Sequence, residues 1–239
     1  MSSKDTGAVY RHEFKYLSTS IQSAITKSRV NALLKKDVHS GDTGSYHVRS
    51  LYFDNLNSNC YFENEAGVDC RDKYRIRIYD CNAQYILLEK KSKERTMTSK
   101  TSCQIDEITC RKLMNKEPIT ITSTMSDVEK MLLSELQYKG MRPVVIVDYL
   151  RYPYVEKNGN VRVTFDENIS SSNDILHFLD KDIISRPVLS TGQSVIEVKW
   201  DALIPEYIKK HIQLEDLQWC SFSKYYLCRK YNTYGGIRI

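Results

Sequence analysis

Charged and apolar side chains alternate along several stretches of this sequence, and this alternation is the feature that most limits the fold. In KYRIRIY, Ile76 and Ile78 fall on one face of an extended strand, and Lys73, Arg75 and Arg77 fall on the other. A strand with one apolar and one charged face is typical of an antiparallel sheet, whose two faces have different surroundings. The stretch therefore predicts a strand that carries a row of cations on one face.

The following stretch, YILLEKKSK, predicts the partner strand of a β-hairpin. A slip of one residue would move every side chain to the wrong face, so apolar positions must lie opposite apolar positions. This requires a turn with an odd number of residues, such as Cys81-Asn82-Ala83. Arg75 then lies opposite Glu89, and Lys73 lies opposite Lys91. In this register Glu89 is placed to orient Arg75.

A second hairpin is predicted around Asn158-Gly159, a dipeptide typical of a two-residue type I′ turn. Counting outward from this turn places Arg151 opposite Asp166 and Val155 opposite Arg162. Arg151, Arg162 and Asp166 then share one face of the hairpin.

Two shorter segments repeat the pattern of ions spaced two residues apart. The segment RHEFKY places Arg11, Glu13 and Lys15 on one face, and SVIEVKWD does the same with Glu197 and Lys199. A helix is predicted from about residue 19 to 36, a helical hairpin from about 105 to 140, and a further helix beginning at a proline. The residues behind these helix predictions are the apolar stripe Ile21, Ala24, Ile25 and Ala32, the capping pair Ser126 and Glu129, the stop signal Gly140, and Pro205.

Two architectures accommodate so many charged strand faces. A flat sheet exposes them to water, whereas a closed barrel of about eight strands turns them inward. Like charges enclosed about 4 Å apart repel by roughly 4 kcal/mol at an effective dielectric constant near 20. An enclosed set of cations therefore requires water and a strongly anionic ligand.

Composition indicates one globular domain over residues 1–239, because 41% of the residues are hydrophobic and no Pro-, Gly- or Ser-rich linker interrupts the chain. The first residues contain no apolar run of signal-peptide type, no apolar run is long enough to span a membrane, and the seven cysteines include no CxxC pair. We therefore expect a cytoplasmic protein with reduced thiols and no membrane segment of its own. No nucleic-acid partner is expected, because the aromatic positions lie opposite the cations rather than among them.

Eight short motifs, in order, resemble those of the catalytic domain of the vacuolar transporter chaperone (VTC) polyphosphate polymerases. This domain belongs to the triphosphate tunnel metalloenzymes, together with the CYTH triphosphatases, and the resemblance spans about residues 8–230. It implies an α+β fold, an eight-stranded antiparallel β-barrel tunnel with flanking helices, that binds a triphosphate and a divalent metal. The motifs are R-x-E-x-K-Y from Arg11, S-L-Y-F-D from Ser50, R-x-K-Y-R-I-R-I-Y from Arg71, L-E-K-K-x-K from Leu88, Y-x-R from Tyr149, R-V-T-F-D from Arg162, E-V-K from Glu197 and S-K-Y from Ser223.

The resemblance also implies which residues bind the ligands. The implied phosphate ligands are Lys15, Arg75, Arg77, Lys91, Lys100, Arg151, Arg162 and Lys224, and the implied metal ligand is Glu197. The cofactor would be Mn²⁺ or Mg²⁺, which typically take one or two carboxylates and complete their coordination with phosphate oxygens and water. The remaining candidates are Arg11, Lys93 and Lys199 for phosphate, Glu13 as a second metal ligand, and Glu89 and Asp166 as supporting carboxylates.

The sequence departs from the related families in two ways. The CYTH hydrolases begin with E-x-E-x-K, whereas Arg11 occupies the first of these positions here, which favours the polymerase branch. The eukaryotic polymerase subunits also carry a regulatory domain and a membrane segment that this sequence lacks, so any coupling to export would need a separate membrane partner.

The function expected from the resemblance is that of a metal-dependent polyphosphate polymerase. It would transfer the γ-phosphate of ATP onto polyphosphate or inorganic phosphate. Two alternatives remain open, a tripolyphosphate or nucleoside-triphosphate hydrolase and a non-catalytic polyphosphate sensor.

Overall fold

Eight long antiparallel strands close into a barrel in the computed structural model, which describes residues 10–95, 97–213, 215 and 217–233. The order around the barrel is β6-β2-β3-β4-β5-β1-β8-β7, and β7 pairs with β6 to complete the wall. This confirms the predicted α+β barrel. Of the predicted domain of residues 1–239, residues 1–9 and 234–239 lie outside the described residues. The strands are β1 (Arg11–Ser18), β2 (Tyr46–Asp54), β3 (Cys70–Tyr79), β4 (Ile86–Glu94), β5 (Met97–Ile105), β6 (Arg142–Glu156), β7 (Val161–Ser172) and β8 (Ser194–Trp200).

Helices connect and flank these strands. The helices are α1 (Ser20–Leu33), α2 (Asn59–Glu65), α3 (Glu107–Met114), α4 (Asp127–Tyr138), α5 (Glu206–Ile212) and α6 (Lys224–Thr233). Short 3₁₀ turns cover Val38–Ser40, Asn158–Asn160 and Ile175–His177, and two-residue strands cover Lys35–Lys36, Arg186–Pro187 and Gln218–Trp219. Within the described residues no helix is long and apolar enough to cross a membrane.

Both predicted hairpin registers are confirmed. Arg75 pairs with Glu89 between β3 and β4. Arg151 pairs with Asp166 between β6 and β7. The predicted two-residue type I′ turn is wrong, because the left-handed residues are Gly159 (φ of 72°) and Asn160 (φ of 48°) rather than Asn158 and Gly159, and Asn158–Asn160 form a short 3₁₀ turn.

The helix predictions are partly right. Thr19 caps α1 in a capping box with Gln22, but the helix ends at Leu33, three residues before the predicted end. The predicted apolar stripe is wrong, because Ile21 and Ile25 are 72% and 47% exposed. The face of α1 that packs on the barrel instead carries Ser23, Thr26 and Val30.

Two apolar cores lie on the outside of the barrel wall. One packs β2, β3 and β4 against α3 and α4, and it includes Leu51, Ile76 and Leu132. The other packs β7 and β8 against α1 and α5, and it includes Val163 and Ile208. Because these faces of the strands are buried under helices, the charged faces of the same strands point into the lumen.

A third apolar core lies inside the barrel, around α6. On β6, Val147 and Tyr149 alternate with outward-facing residues and lie on the same face as Arg151. They pack in one cluster with Tyr225 and Cys228 of α6. The interior of the barrel is therefore partly apolar, and its cationic part adjoins the first turn of α6.

Candidate functional site

The lumen contains a cavity of about 80 Å³ whose wall is dominated by cations. Eight lysine and arginine side chains line it, against the single carboxylate of Glu197. Such a lining attracts anions strongly, since the low-dielectric walls screen the charges poorly. The lining residues are Lys15, Lys73, Arg75, Arg77, Lys91, Arg151, Lys199, Lys224, Glu197, Tyr52, Tyr149, Tyr225 and Ser223.

Three arginines are held in place by buried carboxylates behind them. Arg75 Nε lies 2.7 Å from Glu89 Oε2, and Arg77 Nε lies 3.8 Å from the same oxygen. Arg151 donates two hydrogen bonds of 2.7 Å to Asp166. Glu89 and Asp166 are both fully buried, so the guanidinium groups are fixed and face the cavity. Planar, fixed guanidinium groups suit two-point binding of phosphate oxygens.

Four lysine ammonium groups contact either Asp166 or a second pair of carboxylates, Glu13 and Glu197. Lys224 Nζ lies 2.6 Å from Asp166 Oδ2. In the second pair, Glu13 binds Lys15 at 2.8 Å and Lys91 at 2.7 Å. Lys199 Nζ lies 2.6 Å from Glu197 Oε1 and 3.5 Å from Glu13 Oε2, so it bridges the two glutamates.

Burial and neighbouring charges shift the pKa values of these groups. Burial alone would raise the pKa of Glu13, but Lys15, Lys91 and Lys199 outweigh it and hold that pKa well below its ordinary value. The pKa of Glu197 is likewise held well below its ordinary value, since the attraction of Lys199 and other cations exceeds the effects of burial and of Glu13. Burial lowers the pKa of Lys91 to about 7 despite its contact with Glu13.

Together, Glu13 and Glu197 form the donor set that fits a divalent cation. They are two buried carboxylates bridged by common lysines, and magnesium and manganese commonly use one or two protein carboxylates. Among the described residues no group of three or more acidic, histidine or cysteine side chains is arranged to hold a metal. A cation at this pair would therefore complete its coordination with ligand oxygens and water.

Of the predicted phosphate ligands, the structure brings six to the cavity wall, and Lys199 from the further candidates joins them. The six are Lys15, Arg75, Arg77, Lys91, Arg151 and Lys224. Glu89 and Asp166 lie behind the arginines, as the register predicts, and Glu13 and Glu197 lie side by side.

Four other predicted residues do not line the cavity. Arg162 is on the inward face of β7, but its guanidinium binds Asp37 Oδ2 at 2.8 Å. Lys100 lies opposite Lys91 on the same face of the wall, but it is half exposed and pairs with Glu89 at 3.1 Å. Arg11 is bound to Asp201 at 2.8 Å, and Lys93 lies two residues beyond Lys91 on β4. Ion pairs with Asp201 and Asp37 thus engage Arg11 and Arg162, and phosphate binding by these four residues stays a prediction.

Several wall residues are absent from the predicted set. Lys73 shares the inward face of β3 with Arg75 and Arg77, so the alternation itself contained the signal. Tyr52 belongs to the S-L-Y-F-D motif, and its hydroxyl accepts a hydrogen bond of 2.9 Å from Arg75. Because Tyr52, Tyr149 and Tyr225 line the cavity, the expectation that the aromatic positions lie opposite the cations is wrong for these three residues. Ser223 and Tyr225 flank Lys224 in the S-K-Y motif, and the position of α6 inside the barrel brings all three to the wall.

A closed antiparallel barrel with this arrangement of strands defines the class of the tunnel-fold proteins. This chain belongs to the VTC domain family, whose model matches residues 10–232. No curated protein matches the sequence.

Solved structures share the fold at low sequence identity. The proposed adenylyl cyclase HpAC1 from Hippeastrum superposes with a TM-score of 0.56 at 15% identity, over 92% of this chain and 95% of that chain. Its structure is reported to reveal a dominant triphosphatase activity. A proposed adenylate cyclase from Bacillus halodurans gives a TM-score of 0.50 at 12% identity, over 88% of this chain and 91% of that chain.

Proposed function

We propose that this protein is a metal-dependent polyphosphate polymerase, which transfers the γ-phosphoryl group of ATP to the end of a polyphosphate chain or to inorganic phosphate. The observation that carries the proposal is the charge balance of the lumen. Seven of the eight lining cations pair with four carboxylates and Lys73 pairs with none of those described, which leaves a formal excess of four positive charges. A nucleoside triphosphate brings about the same number of negative charges, so the cavity matches it in charge.

In the transfer, a terminal phosphate oxygen of the acceptor forms a new bond to the γ-phosphorus. The bond from that phosphorus to the β–γ bridging oxygen breaks, and ADP leaves with the electron pair. Protein groups contribute mainly by position and charge in such a reaction. Arg75, Arg77 and Arg151 would hold the equatorial oxygens, because their guanidiniums are fixed by Glu89 and Asp166.

A divalent metal is implied by the tunnel fold and would be held by Glu13 and Glu197. When bound it would add positive charge at the transferred phosphate. Lys15 and Lys199 contact the same two carboxylates, so they would keep the carboxylates ionised and correctly oriented.

Polymerisation and hydrolysis differ in the molecule that accepts the γ-phosphoryl group, which is a phosphate in the first and water in the second. A phosphate acceptor is already ionised at neutral pH, whereas water must lose a proton to a base. The four carboxylates associated with the cavity, Glu13, Glu89, Asp166 and Glu197, are all engaged in ion pairs with lysine or arginine. Because these four carboxylates are engaged with cations, they are poorly suited to take a proton from water, which supports an acceptor that is already ionised.

Hydrolysis of tripolyphosphate or a nucleoside triphosphate is the second candidate. It is supported by the triphosphatase activity reported for HpAC1, which shares this fold. In that case the same cations would bind the triphosphate, and water would take the place of the phosphate acceptor.

Incubating the protein with ATP and Mn²⁺ or Mg²⁺ tests both candidates. A polymerase is expected to yield polyphosphate on a stained gel, with ADP formed in step with the phosphate incorporated. Release of free phosphate equal to ADP, with no polymer, would identify a hydrolase instead. If wild-type protein binds polyphosphate but turns over no ATP with either metal, the sensor function replaces both.

Replacing Arg75 by alanine is expected to weaken triphosphate binding by about 1.5–3 kcal/mol, the range for a hydrogen bond to a charged group. Arg75 is the guanidinium that Glu89 and Tyr52 jointly fix. Isothermal titration with tripolyphosphate measures the change. The control is Arg111→Ala, which removes an exposed arginine paired with Glu107 on α3 and should leave affinity unaltered. Unchanged affinity in Arg75→Ala would exclude Arg75 as a ligand.

A further inference from the structure

Lys73 differs from the other cations of the cavity in having no acidic partner. Each of the other seven lining cations forms an ion pair with a carboxylate, whereas no described carboxylate pairs with Lys73. Its ammonium group donates to Asn64 Oδ1 at 2.5 Å and to Ser223 Oγ at 2.9 Å. These neutral oxygens satisfy two of its hydrogen bonds but leave its charge uncompensated.

The surroundings of Lys73 are electrostatically unfavourable. Lys91 lies directly opposite it in the β3–β4 register. Burial, followed by the charges of Lys15, Lys91 and Arg71, holds the pKa of Lys73 well below its ordinary value. Lys73 is half-buried, and a cation that loses part of its hydration without gaining a counter-charge carries a desolvation cost.

Asp54, the carboxylate that follows the Phe53–Tyr74 pair and so lies beside Lys73 in register, is already occupied. Asp54 ends β2 beside this part of β3, but its oxygens accept hydrogen bonds from the backbone of Cys60 at 3.0 Å and of Tyr61 at 3.1 Å. They also accept a hydrogen bond of 2.5 Å from the Tyr225 hydroxyl. Asp54 therefore anchors α2 and α6, and the charge of Lys73 remains for an anion that enters the cavity.

The position of Lys73 indicates the length of that anion. Lys73 and Arg77 lie four residues apart on one strand face, a distance of about 13 Å at roughly 3.3 Å per residue. A single phosphate group cannot contact both ends of such a row, but an extended chain of phosphates can. The first turn of α6 begins beside Ser223, and the N-terminus of a helix favours negative charge.

We propose that Lys73, with Ser223 beside it, forms an additional subsite for one phosphate group of a linear polyphosphate, beyond the groups held by Arg75 and Arg77. The inference rests on the proposed function, because it assumes that the cavity binds a chain of phosphates. Lys73 acts here as a binding residue that distinguishes long anions from short ones. Asn64 holds the ammonium group in place when this subsite is empty.

The test compares Lys73→Met with wild type by calorimetric titration of tripolyphosphate and of inorganic phosphate. The dissociation constant for tripolyphosphate is expected to rise about tenfold or more in the variant. The constant for inorganic phosphate is expected to stay nearly unchanged, since a single phosphate binds among the arginines. Lys73→Arg, which keeps the charge, should restore most of the affinity. Lys112→Met on the exposed face of α3 removes the same charge far from the lumen and serves as the control.

Thermal unfolding of the same variants separates binding from a structural role. Lys73→Met is expected to be at least as stable as wild type, because the substitution removes a half-buried charge that has no counter-charge. A lower melting temperature with unchanged tripolyphosphate affinity would overturn the subsite, as would an equal loss for both anions. Wild-type protein that binds no tripolyphosphate would overturn the proposed function as well. Tight binding by wild type and variant alike would overturn this inference alone.

Discussion

Replacing Glu197 by glutamine is expected to preserve polyphosphate binding and to lower metal-dependent turnover of ATP by roughly two orders of magnitude or more. Glutamine is nearly isosteric and can still accept the hydrogen bond from Lys199, so β8 should keep its structure. The substitution removes one of the two anionic groups suited to the metal, while the arginines and lysines that would hold the phosphates remain. Steady-state turnover and Mn²⁺ binding measured by electron paramagnetic resonance report the two effects separately.

The matched control for this variant lies on the outside of the barrel. Glu167 is also on a wall strand, but it pairs with Lys27 of α1 at 2.7 Å. Glu167→Gln should therefore leave both turnover and Mn²⁺ binding near the wild-type values. Normal turnover in Glu197→Gln would show that Glu197 is structural and that the metal is held elsewhere.

Replacing Asp166 by asparagine is expected to destabilise the fold by about 3–5 kcal/mol at neutral pH, the usual cost of removing one partner of a buried ion pair. Asp166 is fully buried and receives Arg151 and Lys224, so the variant leaves two enclosed cations without their counter-charge. Urea denaturation measures the loss. Asp201→Asn breaks the exposed pair with Arg11 and should cost at most about 1 kcal/mol.

The pH dependence of this loss has a definite sign. Burial alone would raise the pKa of Asp166, but Arg151 and Lys224 outweigh it and the net pKa is lowered. A lowered pKa in the folded state contributes stability above the unfolded pKa of about 3.9, and this stability disappears as the pH falls through the folded value. The difference between wild type and Asp166→Asn should therefore shrink below about pH 4. A difference that is constant from pH 7 to pH 3 would contradict the ion-pair explanation.

Added tripolyphosphate gives an independent check on the same variant. An anion in the cavity supplies counter-charge to Arg151 and Lys224, so it should restore more stability to Asp166→Asn than to wild type. Equal stabilisation of both proteins would indicate that the anion binds away from these two cations.

The registers of the two hairpins were predictable because the rules that set them are local. Apolar alternation and an odd turn place Arg75 against Glu89, and Asn158-Gly159 places Arg151 against Asp166. These two registers account for the buried carboxylates behind the arginines. The charged faces point inward because the wall closes into a barrel. The alternation of residues did not decide between a flat sheet and a barrel, whereas the family resemblance implied the barrel.

The errors come from contacts between distant segments. In α1, the most hydrophobic residues do not mark the buried face, because Ser23 and Thr26 allow the helix to approach the wall closely. Arg162 is drawn out of the cavity lining by Asp37, which follows α1 and has no local relation to it. Local periodicity likewise contains no sign that the amphipathic helix α6 packs inside the barrel rather than outside.

The way the wall closes has a consequence for how the protein is made. Strand β1 pairs with β8 from His12–Trp200 to Ser18–Ser194, so residues far apart in sequence must meet before the wall is complete. Contacts of such large sequence separation form slowly, because the loop entropy must be overcome first. On the ribosome, the arginines of β3 emerge more than a hundred residues before Glu197 and Lys199 join Glu13 and Lys15. Until then these arginines belong to a wall that has not closed, and a nascent chain has no enclosed cation cluster. An anion in the lumen would therefore be bound only once folding is nearly finished.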